Sequence, residues 1–171
     1  MSQKPDPHIS AEVKINLTIL VLGAMVMILN ETALSVALPA IMADFDIPAT
    51  SAQWLLTGFL LTMGVVIPTT GFLMDKFTTR QIFLASAGVF LAGTVFAALA
   101  PAFGILLVGR VFQAAGTALM IPTLMTVAMT LVPPQRRGSV MGIISVVISV
   151  APALGPTVGG FVLSLSLIHI S

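Results

Sequence analysis

The stretch from Ile15 to Pro39 reads I-N-L-T-I-L-V-L-G-A-M-V-M-I-L-N-E-T-A-L-S-V-A-L-P and contains one ionisable side chain, Glu31. A bilayer core of about 30 Å is crossed by about 20 apolar residues in helical form. The stretch is therefore long enough to span a membrane. It is also longer than the apolar core of a secretory signal peptide, which has about 7–15 residues.

Four further apolar runs follow, separated by short polar breaks. The predicted spans are approximately residues 15–39, 52–74, 81–100, 103–132 and 140–163. Each run is continuous, whereas the strands of a membrane β-barrel alternate apolar and polar residues over about ten positions. The sequence therefore predicts an all-α integral membrane protein with about five transmembrane helices, preceded by a cytoplasmic N-terminal tail at residues 1–14.

The composition supports a membrane environment and excludes several classes of function. Hydrophobic residues make up 57% of the chain and charged residues 8%, against about 25% charged residues in a soluble domain. The absence of cysteine excludes thiolate chemistry, and no combination of nucleophile, base and orienting group occurs. No phosphate-binding Gly-x-x-x-x-Gly-Lys motif occurs either. We therefore expect no enzyme activity, no cofactor, no metal site and no nucleic-acid partner.

The basic residues lie in alternate breaks between the runs. With the N-terminus in the cytoplasm, every Lys and Arg outside the predicted spans falls on the cytoplasmic side, as the positive-inside rule requires. These residues are Lys4, Lys14, Lys76, Arg80, Arg136 and Arg137. We expect a multi-pass protein of the plasma membrane, in particular the bacterial inner membrane.

Two charged residues, Glu31 and Arg110, fall inside predicted spans. A charged side chain within a bilayer is costly and usually faces a partner or a wet cavity. Glu31 precedes the predicted end at Pro39 by eight residues, and Arg110 follows Ala102 by eight, so both should lie about 12 Å below the same boundary. We predict that they face one cavity and interact, directly or through water; a static ion pair that only fixes helix packing is the alternative.

Polar residues continue from Arg110 along one face of the fourth span. Gln113 and Thr117 lie three and seven residues beyond Arg110, a spacing that places the three on one helix face. Asn30 precedes Glu31 in the first span. Together with Asn30, Gln113 and Thr117 are candidates for lining a substrate cavity, although hydrogen bonds that hold helices together would explain Gln113 and Thr117 equally well.

The fifth span contains A-P-A-L-G-P-T-V-G-G at residues 151–160. Ala151, Gly155 and Gly159 recur every four residues and form a stripe of small side chains that allows close helix approach. Pro152 and Pro156 remove backbone donors and favour bending. The sequence predicts tight packing of this helix against a neighbour.

Two segments resemble the major facilitator superfamily, and within it the drug:proton antiporters of the fourteen-helix branch. They are L-N-E-T-A-L-S-V-A-L-P at residues 29–39 and L-L-V-G-R-V-F-Q-A-A-G-T-A at residues 106–118. The branch usually has Asp at the position of Asn30. The resemblance implies a proton-coupling role for Arg110, and Glu31 is our candidate for the protonated group because no other carboxylate lies in a predicted span.

Two further motifs match this superfamily. The loop G-F-L-M-D-K-F-T-T-R at residues 71–80 resembles its cytoplasmic loop motif, which implies a conformational gate formed by Gly71, Asp75, Lys76 and Arg80. The fifth span is similar to the antiporter motif, whose positions here are Pro152, Gly155, Pro156, Gly159 and Gly160. The resemblance implies that the five spans form most of an N-terminal six-helix bundle whose C-terminal partner half is missing.

The function implied is proton-coupled efflux of drugs or other small amphipathic molecules, with protons and the lipid bilayer as further partners. The alternatives are export of a specific metabolite, lipid precursor or siderophore, and a fragment without transport activity of its own. Residues 164–171 do not resemble what usually follows the fifth helix in this family, and we expect them to be a truncated or foreign tail.

Overall fold

The structure, a computed structural model, describes residues 10–170, apart from the side chains of Val158 and of residues 162–170. Most of the predicted tail at residues 1–14 therefore lies outside the described residues. The prediction of a foreign tail at residues 164–171 also falls there, because it concerns side chains that are not described.

The described chain is helical throughout its length, with short connections. The helices are α1 (Ala11–Asp44), α2 (Ala49–Ala52), α3 (Trp54–Lys76), α4 (Thr79–Ala98), α5 (Phe103–Leu131) and α6 (Pro134–Ile170). Five segments are long and apolar enough to cross a membrane: α1, the continuous α2 and α3, α4, α5, and α6 as far as Phe161. The predicted all-α membrane protein with five spans is confirmed.

The bounds of α1 and α6 differ from the predicted runs because the ends of a helix follow its backbone hydrogen bonds rather than its apolar residues. The Ser10 hydroxyl accepts a hydrogen bond from the Val13 amide at 3.3 Å, so α1 begins before Ile15. It continues through Pro39 to Asp44, since one missing donor is tolerated in a membrane helix. Pro134 opens α6, where its fixed φ suits the first helical position. The second span, formed by α2 and α3, begins at Ala49, three residues before the predicted start, and the remaining bounds differ from the predicted ones by at most two residues.

The helix α5 is the centre of the bundle. Half of its most apolar stretch is buried, against 17–22% for the other spans. It packs against α4, α3 and α1, while α6 packs mainly against α1. A side chain on the inner face of α5 can therefore contact three other helices.

The packing of α4 on α5 is close because small residues line the contact. The Ser86 hydroxyl donates a hydrogen bond to the Gly116 carbonyl at 2.7 Å. A Cβ atom added at Gly116 would lie 2.8 Å from the Cβ of Phe90. In a bilayer, where lipid is as apolar as Leu, such close contact and interhelical hydrogen bonds hold helices together.

Large apolar side chains cover the outer surface of the bundle, as expected for a protein that faces lipid. Leu61 and Val65 of α3 and Leu91 of α4 are each more than 60% exposed. The interior contains a cluster of buried apolar side chains, which includes Met27 and Met120. It also contains buried polar residues on α5.

The two ends of the bundle differ in charge. We call the end that carries Lys14, Lys76, Arg80, Arg136 and Arg137 the basic end. It contains a cavity of about 520 Å³ lined by residues from α1, α4 and α5, among them Asn16, Arg80 and Leu131. At the opposite end the rings of Phe45 and Phe103 meet edge to face at 6.4 Å.

Candidate functional site

Arg110 lies inside the bundle on α5, and only 2% of its surface is exposed. Its Nη1 donates hydrogen bonds to Asn30 Oδ1 of α1 at 3.1 Å and to Gln113 Oε1 at 2.8 Å. The guanidinium also lies over the ring of Phe59 of α3, 4.5 Å from the centroid. Residues of three helices therefore hold this one cation.

The hydrogen bonds continue from Gln113 to α4. Gln113 Nε2 donates to Thr94 Oγ1 at 3.0 Å, and the Thr94 hydroxyl donates to the Phe90 carbonyl at 2.9 Å. Thr117 is fully buried, and its hydroxyl donates to the Gln113 carbonyl at 3.0 Å. Arg110, Gln113 and Thr117 are thus all buried on the inner face of α5.

The direct partner of Arg110 on α1 is Asn30 and not Glu31. Successive helix residues point about 100° apart, so the two neighbours on α1 cannot take the same position. Glu31 is half-buried, and the described hydrogen bonds of Arg110 go to amide oxygens only. The direct form of the predicted contact with Glu31 is therefore not present; the water-mediated form stays a prediction.

The hydrogen bonds of Arg110 leave one edge of its guanidinium free. Its Nε and Nη2 atoms are buried and have no hydrogen-bond partner among the described residues. The partners that Arg110 does have are neutral amides and an aromatic ring. A buried cation with neutral partners strongly favours a counter-charge, so this edge favours an ionised carboxylate or another anionic group.

The glycines of α6 pack against α1 directly after Glu31. A Cβ atom at Gly155 would overlap the hydroxyl of Thr32, and one at Gly159 would lie 3.1 Å from the Cα of Ala33. Pro152 and Pro156 are exposed on α6. The fifth residue of this motif, Gly160, is half-buried, and an added Cβ there would have no described atom within 4 Å. The structure thus brings two of the five motif residues to the segment of α1 that carries Asn30 and Glu31.

A sequence model of the Major Facilitator Superfamily matches residues 20–169. The chain belongs to this superfamily. Its five spanning helices and this match make it part of a multi-pass membrane protein of a transporter family.

Similar proteins of the superfamily come from several bacteria. The chain is 50% identical over 143 residues to the uncharacterized MFS-type transporter YcnB of Bacillus subtilis, covering 84% of this chain and 30% of that protein. It is 43% identical over 134 residues to the lincomycin resistance protein LmrB of Listeria monocytogenes, covering 78% of this chain and 28% of that protein. It is 31% identical over 162 residues to the multidrug export protein EmrB of Haemophilus influenzae, covering 94% of this chain and 32% of that protein. The chain thus spans about a third of the length of these relatives.

The loop motif of the superfamily lies at the basic end and is not brought together with Arg110. Gly71, Asp75, Lys76 and Arg80 are all exposed, and the Lys76 ammonium lies over the exposed ring of Phe72 at 4.3 Å. Their role as a gate stays a prediction.

Thr78, within the loop motif, has a local role that the sequence analysis did not identify. Its hydroxyl accepts a hydrogen bond from the Gln81 amide at 3.3 Å, and Gln81 Oε1 accepts one from the Thr78 amide at 2.9 Å. This reciprocal pair is a capping box at the start of α4. The spacing Thr-x-x-Gln was the signal for it.

Sequence reasoning also missed Phe59, Thr94 and Thr32. The phenylalanine carries no signal, because the chain has ten phenylalanines and most lie in apolar runs. Thr94 was a polar residue within the apolar third span, which could have marked it as an interhelical hydrogen-bonding group. The role of Thr32 is identified only in the structure, by its contact with Gly155.

Proposed function

We propose that the transporter containing this chain is a proton-coupled exporter of drugs or other small amphipathic molecules, in the cytoplasmic membrane of a bacterium. The main support is Arg110, a buried cation that α5 holds against Asn30, the residue next to Glu31. Among similar proteins, one is named a lincomycin resistance protein and another a multidrug export protein.

In this proposal Glu31 takes up a proton from the outside and releases it to the inside, and it binds a cationic or amphipathic substrate when it is ionised. Arg110 favours the ionised carboxylate through its charge, and burial opposes it. Proton and substrate therefore compete for the same group. When the substrate is neutral, one proton moved inward across about 100 mV supplies about 2.3 kcal/mol, which supports a substrate gradient of about fifty-fold. Exchange of one proton for one monovalent cation moves no net charge, so the pH gradient drives that export.

The residues of the site that lie on α1 are more exposed than those on α5. Gln113 and Thr117 are buried with partners in the protein, whereas Asn30 and Glu31 are half-buried. We therefore assign substrate contact to Asn30 and Glu31, and to Gln113 and Thr117 the role of holding Arg110 and its helix. The packing of Gly155 on Thr32 places α6 next to these α1 residues.

The test is export of a cationic dye, such as ethidium, by the full-length protein in proteoliposomes with an imposed pH gradient. We expect Glu31→Gln to abolish uphill export while downhill movement of the dye continues. Glu31→Asp should keep part of the activity. Glu12→Gln, at the exposed first turn of α1, is the matched control and should behave like the wild type. Unchanged uphill export in Glu31→Gln would refute the assignment.

A growth assay distinguishes a broad exporter from an exporter of one metabolite. Cells that produce the full-length protein should grow at several-fold higher concentrations of chemically unrelated cationic and neutral toxins. Protection against none of them, with pH-driven transport intact, would favour a narrow substrate.

A further inference from the structure

We propose that Thr94 is a positioning residue that orients the amide of Gln113 and, through it, the guanidinium of Arg110. Thr94 lies on α4 and does not touch Arg110; it acts through a directed chain of hydrogen bonds. The consequence for transport rests on the proposed function, whereas the orientation itself does not.

The direction of the chain begins at the backbone of α4. A threonine hydroxyl has one proton to donate, and Thr94 gives it to the Phe90 carbonyl at 2.9 Å. Its oxygen can then only accept a hydrogen bond from Gln113 at 3.0 Å. The group of Gln113 that faces Thr94 must therefore be the amide nitrogen, which is a donor.

This assignment determines which group of Gln113 faces Arg110. With Nε2 turned to Thr94, Oε1 accepts from Arg110 Nη1 at 2.8 Å. The flipped amide would place an NH₂ group against the guanidinium, donor against donor, and a carbonyl against the lone pairs of Thr94. The hydrogen bond to Arg110 would be lost, and the one to Thr94 would survive only if the hydroxyl proton left the Phe90 carbonyl. The residues concerned are buried or half-buried, where an unmade hydrogen bond is costly.

The orientation of the amide in turn determines which edge of Arg110 is available. Gln113 Oε1 and Asn30 Oδ1 both accept from Nη1. The Nε and Nη2 atoms are left without a partner among the described residues. These two atoms form the fork that binds a carboxylate with two parallel hydrogen bonds. Thr94 therefore keeps the carboxylate-binding edge of Arg110 free and in a fixed direction.

The test compares three variants of the full-length protein. Thr94→Val keeps the shape of the side chain and removes the acceptor; Thr94→Ser keeps the hydroxyl. The matched control is Thr62→Val on α3, where the hydroxyl is half-buried and only donates to a carbonyl four residues earlier, that of Gly58, at 2.7 Å.

The readout is the pH profile of dye export in proteoliposomes. We expect Thr94→Val to move the midpoint upward by about 0.7 pH unit, the equivalent of one lost hydrogen bond, because a less ordered Arg110 stabilises the ionised carboxylate less. Thr94→Ser and Thr62→Val should keep the wild-type midpoint. A wild-type profile for Thr94→Val, or an equal shift in Thr62→Val, would overturn the inference.

A second measurement separates this inference from the proposed function. If the wild type shows no pH-dependent export, the proposed function fails. The Tm in detergent then tests by itself the relay, by which we mean the hydrogen bonds from Thr94 through Gln113 to Arg110. Thr94→Val should then lower the Tm in the wild-type background but not in the Gln113→Leu background, where the relay is already broken. Equal losses in both backgrounds would overturn the relay.

Discussion

At the scale of the single residue, Arg110 shows how a cation is kept inside an apolar bundle. Burial of an ion in a low-dielectric interior costs several kcal/mol per ion, and charged residues in membrane spans face partners for this reason. Arg110 has two amide oxygens and the Phe59 ring as partners. These neutral groups reduce the cost without neutralising the charge, which leaves the cation able to respond to a nearby carboxylate.

The contribution of Phe59 can be tested against a second cation and ring pair in the same chain. The pair of Lys76 and Phe72 has a similar distance, 4.3 Å, but Phe72 as a residue is 62% exposed and Phe59 2% exposed. A cation–π contact contributes about 2 kcal/mol when desolvated and about 0.5–1 kcal/mol when exposed. We therefore expect Phe59→Leu to lower the free energy of unfolding by about 2 kcal/mol, and Phe72→Leu by less than half of that.

Thermal unfolding of the purified protein in detergent measures both variants. Equal losses for the two would show that the ring of Phe59 is only a packing group and that Arg110 does not depend on it.

At the scale of the element, small residues determine which helices come into contact. The glycines of α6 face Thr32 and Ala33 of α1, and Gly116 of α5 faces α4. Without a hydrophobic driving force between helices in lipid, close approach and dispersion contacts supply the attraction. The stripe predicted from Ala151, Gly155 and Gly159 is therefore a contact surface for α1, where the candidate proton site lies.

Gly155→Ala tests this contact, and Gly160→Ala on the same helix is its matched control. An added Cβ at Gly155 meets Thr32, whereas at Gly160 it meets no atom of the described side chains or backbone within 4 Å. Overpacking costs about 1–3 kcal/mol, while Ala favours a helix over Gly by about 1 kcal/mol. We expect Gly155→Ala to lower the Tm and Gly160→Ala to leave it unchanged or raise it.

Adding Thr32→Ala should recover part of the loss, because the overlapping hydroxyl is then gone. A Tm for Gly155→Ala equal to that of the wild type would contradict the α1–α6 packing described here.

At the scale of the whole molecule, the charges at the ends of the helices predict how the chain lies in the membrane. The basic end carries all the Lys and Arg of the described helices except Arg110, and the positive-inside rule assigns such an end to the cytoplasm. The opposite end, with Asp44 and Asp46, should face the outside.

The orientation can be measured with single cysteines, because the chain has none. In intact cells we expect a membrane-impermeant maleimide to label Ala49→Cys at the opposite end but not Gln135→Cys at the basic end. Gln135→Cys should react only after the cells are permeabilised. Leu91→Cys, which is 62% exposed on α4 and faces lipid, should remain unlabelled in both cases. Labelling of Gln135→Cys in intact cells would reverse the topology.

Much of this architecture could be predicted from local properties of the sequence. The length of an apolar run decides whether it spans a membrane, which identified the five helices. Helix periodicity placed Arg110, Gln113 and Thr117 on one face, and all three are buried. The helix ends were less predictable, since caps such as Ser10 carry α1 beyond its apolar residues.

Only the tertiary structure determined which side chains meet Arg110. Asn30 rather than Glu31 provides the hydrogen-bond acceptor from α1, Phe59 of α3 packs against the guanidinium, and Thr94 of α4 is linked to it only through Gln113. The physical reason is the rotation of each helix about its axis. One residue corresponds to about 100° of that rotation, and the rotation depends on how neighbouring helices pack, through contacts such as Gly155 on Thr32. The sequence by itself determined that these helices span the membrane; their packing decided which of their residues meet inside it.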